Sequence, residues 1–407
     1  MSELHWISGG VTAPKGFKAA GINCGIRKNK TKKDLALIVS DSLCNAAAVY
    51  TQNLVQGAPI MVTKQNLQNG RAQAILCNSG NANTCNADGE EKANTMCNLA
   101  GNLLRIDPSD VIVASTGVIG QTLPIAPIED GLPSLVSALS PSGSIDAAQA
   151  IMTTDTVEKE FAVEFILGQK PVRIGVIAKG SGMIEPNMAT LLGFITTDAA
   201  ITPVMLHKAL AAAVEESFNM LSIDGDTSTN DMVCVLASGQ AKNAEITAEN
   251  EDFKAFVSAL SQLCVVCTAK MAKDGEGATR LIRCEVSGAD SKATAKTVAK
   301  SIINSSLVKT AVFGADANWG RILCAIGYAG CPVDVNAVDV SFASAAGQVD
   351  VCADGRGVPF SEETAKTVLS EDEITIQVNL KSGHESAAAF GCDLTYEYVK
   401  INGDYRT

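Results

Sequence analysis

The chain has 407 residues, 46% of them hydrophobic and 19% charged, with 32 Lys plus Arg against 44 Asp plus Glu and a formal net charge of −12. A charged fraction under the roughly 25% usual for soluble proteins favours a large compact interior over disorder, and the length allows two domain-sized cores or one large layered domain. The acidic balance argues against a chain-wide attraction to phosphate backbones, so no nucleic-acid partner is expected.

The start, with Glu3 and His5, lacks a cationic segment followed by an apolar one, so no secretory signal is read there. A long uncharged run, residues 111–128, contains Pro124, Pro127 and two glycines, which is wrong for a membrane span. The expectation is a cytoplasmic protein with no membrane partner. Thirteen cysteines are scattered without dense spacing and read as reduced thiols. Cys264 and Cys267 fall on the apolar face of a helical segment and read as small core residues. His5, His207 and His384 lie far apart, so no metal site is expected.

In chain order, Arg27, Lys28, Lys30, Lys32 and Lys33 read as a solvated turn before a strand. Residues 36–41, 46–51 and 72–79 have strand character, and 90–105 have helical periodicity. Asn78-Ser-Gly-Asn-Ala-Asn83 reads first as turn chemistry. The apolar residues 111–114 open into Ser115-Thr116-Gly117, where a hydroxyl and a backbone N–H can face one negative oxygen, although Thr-Gly at a strand end is common. Residues 128–154 are helical with proline punctuation. Segments 158–165 and 172–178 are strands that lead into Lys179-Gly-Ser-Gly-Met-Ile-Glu-Pro-Asn-Met-Ala-Thr190.

After Thr190 comes an apolar run that reads as a buried strand. Thr202-Pro203 is a helix start, a hydroxyl cap followed by proline at the first helical position, with the helix running to about Ser222. Asp224 to Asp231 resembles a calcium loop until its sixth position, Thr229, and its twelfth, Val235, are read; a polar connection is expected instead. Further elements are a strand at 232–237, helices at 249–272 and 291–312, and a strand at 281–286. A helix running to Tyr328, strands at 338–342, 374–378 and 389–401 and a short helix at 361–370 complete the order. Glu276, an acid between two glycines, suits either an amine or solvent. This mixture suggests α+β layers with a mostly antiparallel or mixed sheet.

Thr190 stands where a turn-rich loop meets a core strand, the place an N-terminal nucleophile would occupy. A threonine that begins a chain carries its own base, an α-amino group with an ordinary pKa of ~7.7–8.0. Self-cleavage before Thr190 would create that catalyst. The residues alone also allow an ordinary strand start.

The segment Lys179 to Thr190 resembles the signature of the ornithine acetyltransferase family, also called bifunctional glutamate N-acetyltransferase, of arginine biosynthesis. The resemblance extends through Gly10-Val-Thr-Ala-Pro-Lys-Gly-Phe17, Asn78 to Asn83, Ser115-Thr-Gly117, Met152-Thr-Thr-Asp-Thr156, Asp224 to Asp231, Asp274-Gly-Glu-Gly-Ala-Thr279 and Asn318-Trp-Gly-Arg321. Leu191 and Ala317 stand where the family often has Met and Pro. The resemblance implies a layered helix/sheet architecture of the DmpA/ArgJ-like type, mixed sheets covered by helices.

It further implies cleavage between Ala189 and Thr190 into an α chain, 1–189, and a β chain, 190–407, which stay together in one catalytic unit. Acetyl would pass from N-acetylornithine to Thr190 and then to glutamate, with no cofactor and with acetyl-CoA as a possible second donor. Thr116 and Gly117 match the family's oxyanion-hole pair. Thr154, Lys179, Thr190, Glu276, Asn402 and Thr407 match substrate-contacting positions, and a heterotetramer of two α and two β chains is implied. A self-cleaving amidase or aminopeptidase on the same scaffold is the alternative.

Overall fold

A computed structural model describes residues 4–185 and 191–404. Among them, two mixed sheets carry the strands. The larger runs His5–Ile7, Lys159–Leu167, Lys170–Lys179, Leu192–Thr197, Met232–Ala237, Leu35–Tyr50, Arg71–Asn81 and Val111–Val118 in spatial order, with Phe17–Ile22 also on Leu35–Tyr50. Two of its pairings are parallel, Leu192–Thr197 with Met232–Ala237 and Arg71–Asn81 with Val111–Val118. The smaller sheet runs Arg356–Gly357, Gly347–Ala353, Asp339–Ser344, Glu373–Asn379, Leu281–Ala289 and Glu385–Cys392. The fold is α+β with mixed sheets covered by helices, as expected.

The strand Met232–Ala237 is buried at all six positions, and so is Leu192–Thr197. Both lie inside the sheet with packed layers on each face, which is why they read as continuous apolar runs. The helix Glu251–Lys273 lays Phe256, Leu260, Leu263, Cys264, Cys267 and Met271 into this core. Each large apolar side chain so buried contributes roughly 1.5–3 kcal/mol. Although that helix is apolar and long enough by composition to cross a membrane, its inner face is the core of the larger sheet. Cys264 and Cys267 are the small core residues expected, and burial raises both thiols, Cys267 to about 12.

Several boundaries differ from the sequence reading. Residues 36–41 and 46–51 belong to one strand, Leu35–Tyr50, whose ladder with Arg71–Asn81 shifts register between Val39 and Cys44. Its first part pairs with Phe17–Ile22 and its last part with Met232–Ala237, so the irregularity marks a change of neighbour. The helix after Thr202 ends at Glu215 and gives way to a short 3₁₀ turn at Phe218–Met220. The expected helix 291–312 is two, Lys292–Asn304 and Ser306–Phe313, because Ser305 adopts an extended backbone and caps the second through Val308 N–H (3.3 Å).

The largest difference is the tail. Residues 389–401 do not form one strand: Glu385–Cys392 is a strand and Tyr396–Asp404 a helix. Asp393 accepts the backbone N–H groups of Thr279 (2.8 Å) and Arg280 (2.9 Å), and the Thr395 hydroxyl donates to Gly277 O (2.6 Å), so tertiary bonds turn the chain there. Aromatic and β-branched residues in Tyr396-Glu-Tyr-Val-Lys-Ile suggest a strand by propensity, which tertiary contacts override.

Candidate active site

The strands Lys170–Lys179 and Leu192–Thr197 are antiparallel, with Lys179 opposite Leu192. The chain therefore leaves the sheet at Lys179 and re-enters beside it at Leu192. The parallel pair Arg71–Asn81 and Val111–Val118 ends with Ser79 opposite Thr116 and Gly80 opposite Gly117. Ser115, Thr116 and Gly117 thus continue the strand where the sequence suggested an opening.

A cavity of about 120 Å³ gathers Thr116, Gly117, Thr154, Lys179, Glu276 and Asn402, with Gly182, Met183 and residues 228–230 completing its wall. A smaller space of about 30 Å³ shares Thr116, Lys179 and Gly182 and adds Leu191 and Asp231. Six of the expected site positions, drawn from five separate segments, therefore meet in one place. The expected nucleophile and cleavage site, Thr190 and Ala189, lie outside the described residues, together with Pro186, Asn187 and Thr407. Leu191, the residue after Thr190, is on the wall of the smaller space.

Gly117 has φ +133°, and a Cβ there would lie 2.4 Å from the Gly80 carbonyl carbon and 2.5 Å from the Asn81 nitrogen. Both the backbone angle and the approach of the neighbouring strand require glycine. The Lys179 ammonium donates to the Thr116 hydroxyl oxygen (3.3 Å). Burial pushes the Lys179 ammonium below its ordinary range, against the opposing pull of Asp155 and Asp231.

Beneath the cavity lies an ion cluster. Lys159, fully buried, donates to Asp155 (2.6 Å) and to Asp274. Asp155 also accepts Gly180 N–H (2.8 Å) and Thr153 N–H (3.0 Å), while Asp274 accepts Thr156 N–H (3.1 Å). The cluster ties the turn carrying Thr154 to the start of the loop after Lys179 and to the end of the helix Glu251–Lys273. Burial alone would raise the Asp155 carboxyl; Lys159 and Lys179 outweigh it and hold the group far below the ordinary carboxylate range.

The loop after Lys179 is pinned on its other side. Asp224 accepts the N–H groups of Met183 (2.6 Å) and Ile184 (2.8 Å) and the Tyr398 hydroxyl (3.2 Å). Met183 sits at φ +55°, a left-handed angle uncommon for a residue with a side chain. Glu276 is buried; its N–H donates to Ser181 O (2.8 Å), its carboxylate accepts from Asn402 Nδ2 (2.7 Å), and a Cβ on Gly182 would sit 2.4 Å from it. Thr154 and Ser181 share a hydroxyl bond of 2.7 Å.

Sequence reasoning did not single out the roles of Asp155, Lys159 and Asp274, although an acid and a lysine four residues apart were visible as a signal. It also treated residues 224–231 only as a connection. Asn230 in fact spans from the Ser115 carbonyl (3.0 Å) to Ala82 O (2.6 Å) and holds the strand end that presents Thr116. Asp231 is buried with Oδ2 unpartnered, and burial raises its carboxyl well above the ordinary range. Asn78 and Ser79 face the fold: Ser115 donates to Asn78 Oδ1 (2.6 Å) and Ser79 to Ala150 O (2.6 Å).

A profile of the ArgJ family matches residues 18–407. The chain belongs to the ArgJ family. The arginine biosynthesis bifunctional protein ArgJ 1 of Clostridium acetobutylicum is 50% identical over 392 residues, covering 96% of each chain. The arginine biosynthesis bifunctional protein ArgJ of Symbiobacterium thermophilum is 48% identical over 406 residues, covering 99% of this chain and all of that one. A crystal structure of the Bacillus halodurans arginine biosynthesis bifunctional protein ArgJ is 48% identical with a TM-score of 0.50, covering 52% of this chain and 98% of the solved one. This ArgJ-family member is an acyltransferase of arginine biosynthesis, the glutamate N-acetyltransferase expected from its motifs.

Proposed function

We propose that the protein moves acetyl from N-acetylornithine to glutamate by a ping-pong reaction through acetyl-Thr190, after cutting itself between Ala189 and Thr190. The observation that carries this reading is the meeting of Thr116, Gly117, Thr154, Lys179, Glu276 and Asn402 on one cavity. In the precursor the Thr190 hydroxyl attacks the Ala189 carbonyl, and water hydrolyses the resulting ester. The freed α-amino group then serves as the base for the same hydroxyl.

During transfer, the Thr116 hydroxyl and the Gly117 N–H stabilise the oxyanion of each tetrahedral intermediate. Lys179 lies against Thr116 and supplies positive charge there; Glu276, held by Asn402, takes the substrate ammonium group. No metal or cofactor is needed, because acid-base and covalent steps are supplied by Thr190 itself. Acetyl-CoA serves as a second donor, giving the bifunctional form. Residues 1–189 and 190–407 become two chains that remain one unit, and two such units associate in the cytoplasm.

Support for the halves staying one unit after a cut comes from the interleaved sheet, where Lys170–Lys179 pairs with Leu192–Thr197 and Leu35–Tyr50 with Met232–Ala237 across the proposed cut. The solved Bacillus halodurans chain matches 52% of this one while being 98% covered itself; residues 190–407 are a similar fraction. Incubation with N-acetylornithine, with and without glutamate, tests the reaction. N-acetylglutamate formed only when glutamate is present supports it; free acetate with no N-acetylglutamate points instead to an amidase and overturns it.

A further inference from the structure

The basic segment beginning at Arg27 is more than a solvated turn. Arg27, Lys28 and Lys32 line a cavity of about 460 Å³ that also has Gly80, Thr153 and Thr154 in its wall. Among the described residues none that lines it is acidic, in a chain whose net charge is −12. Thr153 and Thr154 belong equally to the wall of the 120 Å³ cavity, so the two spaces adjoin. Gly80 touches both groups. A Cβ on it would meet Arg27 Cγ at 2.7 Å, and a Cβ on Gly117 would meet its carbonyl carbon at 2.4 Å.

The cations sit on a built loop. Buried Asp34 accepts the N–H groups of Cys24 (2.6 Å), Gly25 (3.2 Å) and Arg27 (3.0 Å). The Asn23 amide donates to the carbonyls of Asn29 (3.3 Å) and Lys32 (2.6 Å), closing the loop on itself. The Arg27 guanidinium donates to the Met152 carbonyl, which fastens the loop to the turn carrying Thr153 and Thr154. Lys33 is spent elsewhere, on Asp146 and Gln149 (2.9 Å). Among the described residues, Lys28 and Lys32 have no carboxylate partner. Lys28 and Lys32, held over a roomy cavity with no acid among the described residues to neutralise them, suit a ligand bearing several phosphate groups.

We infer that this pocket is the subsite for the phosphorylated end of a large acyl donor, with Lys28 and Lys32 binding its phosphates while its acyl end reaches the Thr116–Lys179 cavity past Thr153 and Thr154. The inference rests on the acetyl-transfer reading above and adds the residues that distinguish two donors. Acyl would pass from the thioester carbonyl to the Thr190 oxygen, the C–S bond breaking as the C–O bond forms; the thiol leaves with the hydroxyl proton. N-acetylornithine carries no phosphate, so it has no use for Lys28 or Lys32.

The test compares donors in the full-length processed enzyme. In Lys28→Ala/Lys32→Ala, the KM for acetyl-CoA should rise about tenfold or more for each charge removed, while N-acetylornithine–glutamate exchange keeps its wild-type KM and kcat. Lys28→Glu should weaken acetyl-CoA use further, and adenosine 3′,5′-bisphosphate should compete with acetyl-CoA in the wild type and lose affinity in the variants. Equal effects on both donors overturn the proposal. So does an unchanged acetyl-CoA KM, or a wild type that performs the exchange yet binds no coenzyme A by calorimetry. A bisphosphate that alters the exchange without competing with acetyl-CoA would make the pocket regulatory and also overturn it. Failure of the exchange itself would instead strike the acetyl-transfer reading.

Discussion

Replacing Gly117 by Ala adds one methyl group at the point where two strand ends come closest. At φ +133° a residue with a side chain carries strain of about 1–3 kcal/mol. The new Cβ would also lie 2.4 Å from a backbone carbon of Gly80, a neighbour that cannot rotate away, and such overpacking costs about 1–3 kcal/mol more. Gly120→Ala is the control: its φ is +77°, but nothing lies within 4 Å of the added Cβ, so only a backbone cost of about 1–2 kcal/mol applies. Differential scanning calorimetry should therefore show Gly117→Ala melting lower than Gly120→Ala, at roughly 1 °C per kcal/mol of difference in a chain of 407 residues. Alanine keeps the backbone N–H but the clash displaces it, so if the Gly117 N–H stabilises an oxyanion, turnover should fall in Gly117→Ala alone, by at most the roughly 10²–10³ that loss of such a donor costs. Equal melting temperatures for the two variants, or wild-type turnover in Gly117→Ala, would refute the reasoning.

Other variants probe the groups around the cavity. Lys159→Met leaves Asp155 and Asp274 buried without their cation and should cost about 3–5 kcal/mol, read by chemical denaturation, with Lys159→Met/Asp155→Asn losing less. Asp155 is held below the ordinary carboxylate value of about 3.9, so its stabilisation is present above that pH and lost as pH falls through the lower folded value. Asp155→Asn should flatten the acid limb of the stability curve. Asp231 has the opposite sign: its raised carboxyl makes the fold lose stability as pH rises from about 3.9 towards the folded value. Asp231→Asn should reduce that loss, and an unchanged profile would mean that the group does not titrate there. Glu276→Gln should raise the KM for N-acetylornithine, whose side-chain amine is its free ammonium group, by about tenfold or more while leaving self-cleavage intact; a normal KM would remove Glu276 from the ammonium site.

Much of the core was legible because buried strands such as Met232–Ala237 are apolar at every position and the helix Glu251–Lys273 has an unbroken inner face. Helix starts were legible where a side chain supplies the cap, as at Thr202 with Pro203 after it. The tail was not, since the turn at Asp393 depends on N–H groups more than a hundred residues earlier. The cavity positions came from resemblance: no spacing rule brings Thr116, Lys179, Glu276 and Asn402 together. The supporting cluster of Asp155, Lys159 and Asp274 joins residues from distant segments, and only its local half, Asp155 and Lys159, leaves a trace in sequence. The basic loop is the exposed turn that the sequence suggested, but the cavity that Gly80 and Thr154 complete beside it was not legible for the same reason.

Self-cleavage before Thr190 is tested most directly by intact-mass analysis of the purified protein under denaturing conditions, joined to N-terminal sequencing of the heavier fragment. Scaling 42.2 kDa by residue number gives two chains of roughly 20 and 23 kDa, the heavier beginning at Thr190, and a single full-length chain for Thr190→Ala. A wild type that stays at full mass while transferring acetyl, or a heavier fragment with a different first residue, would contradict it.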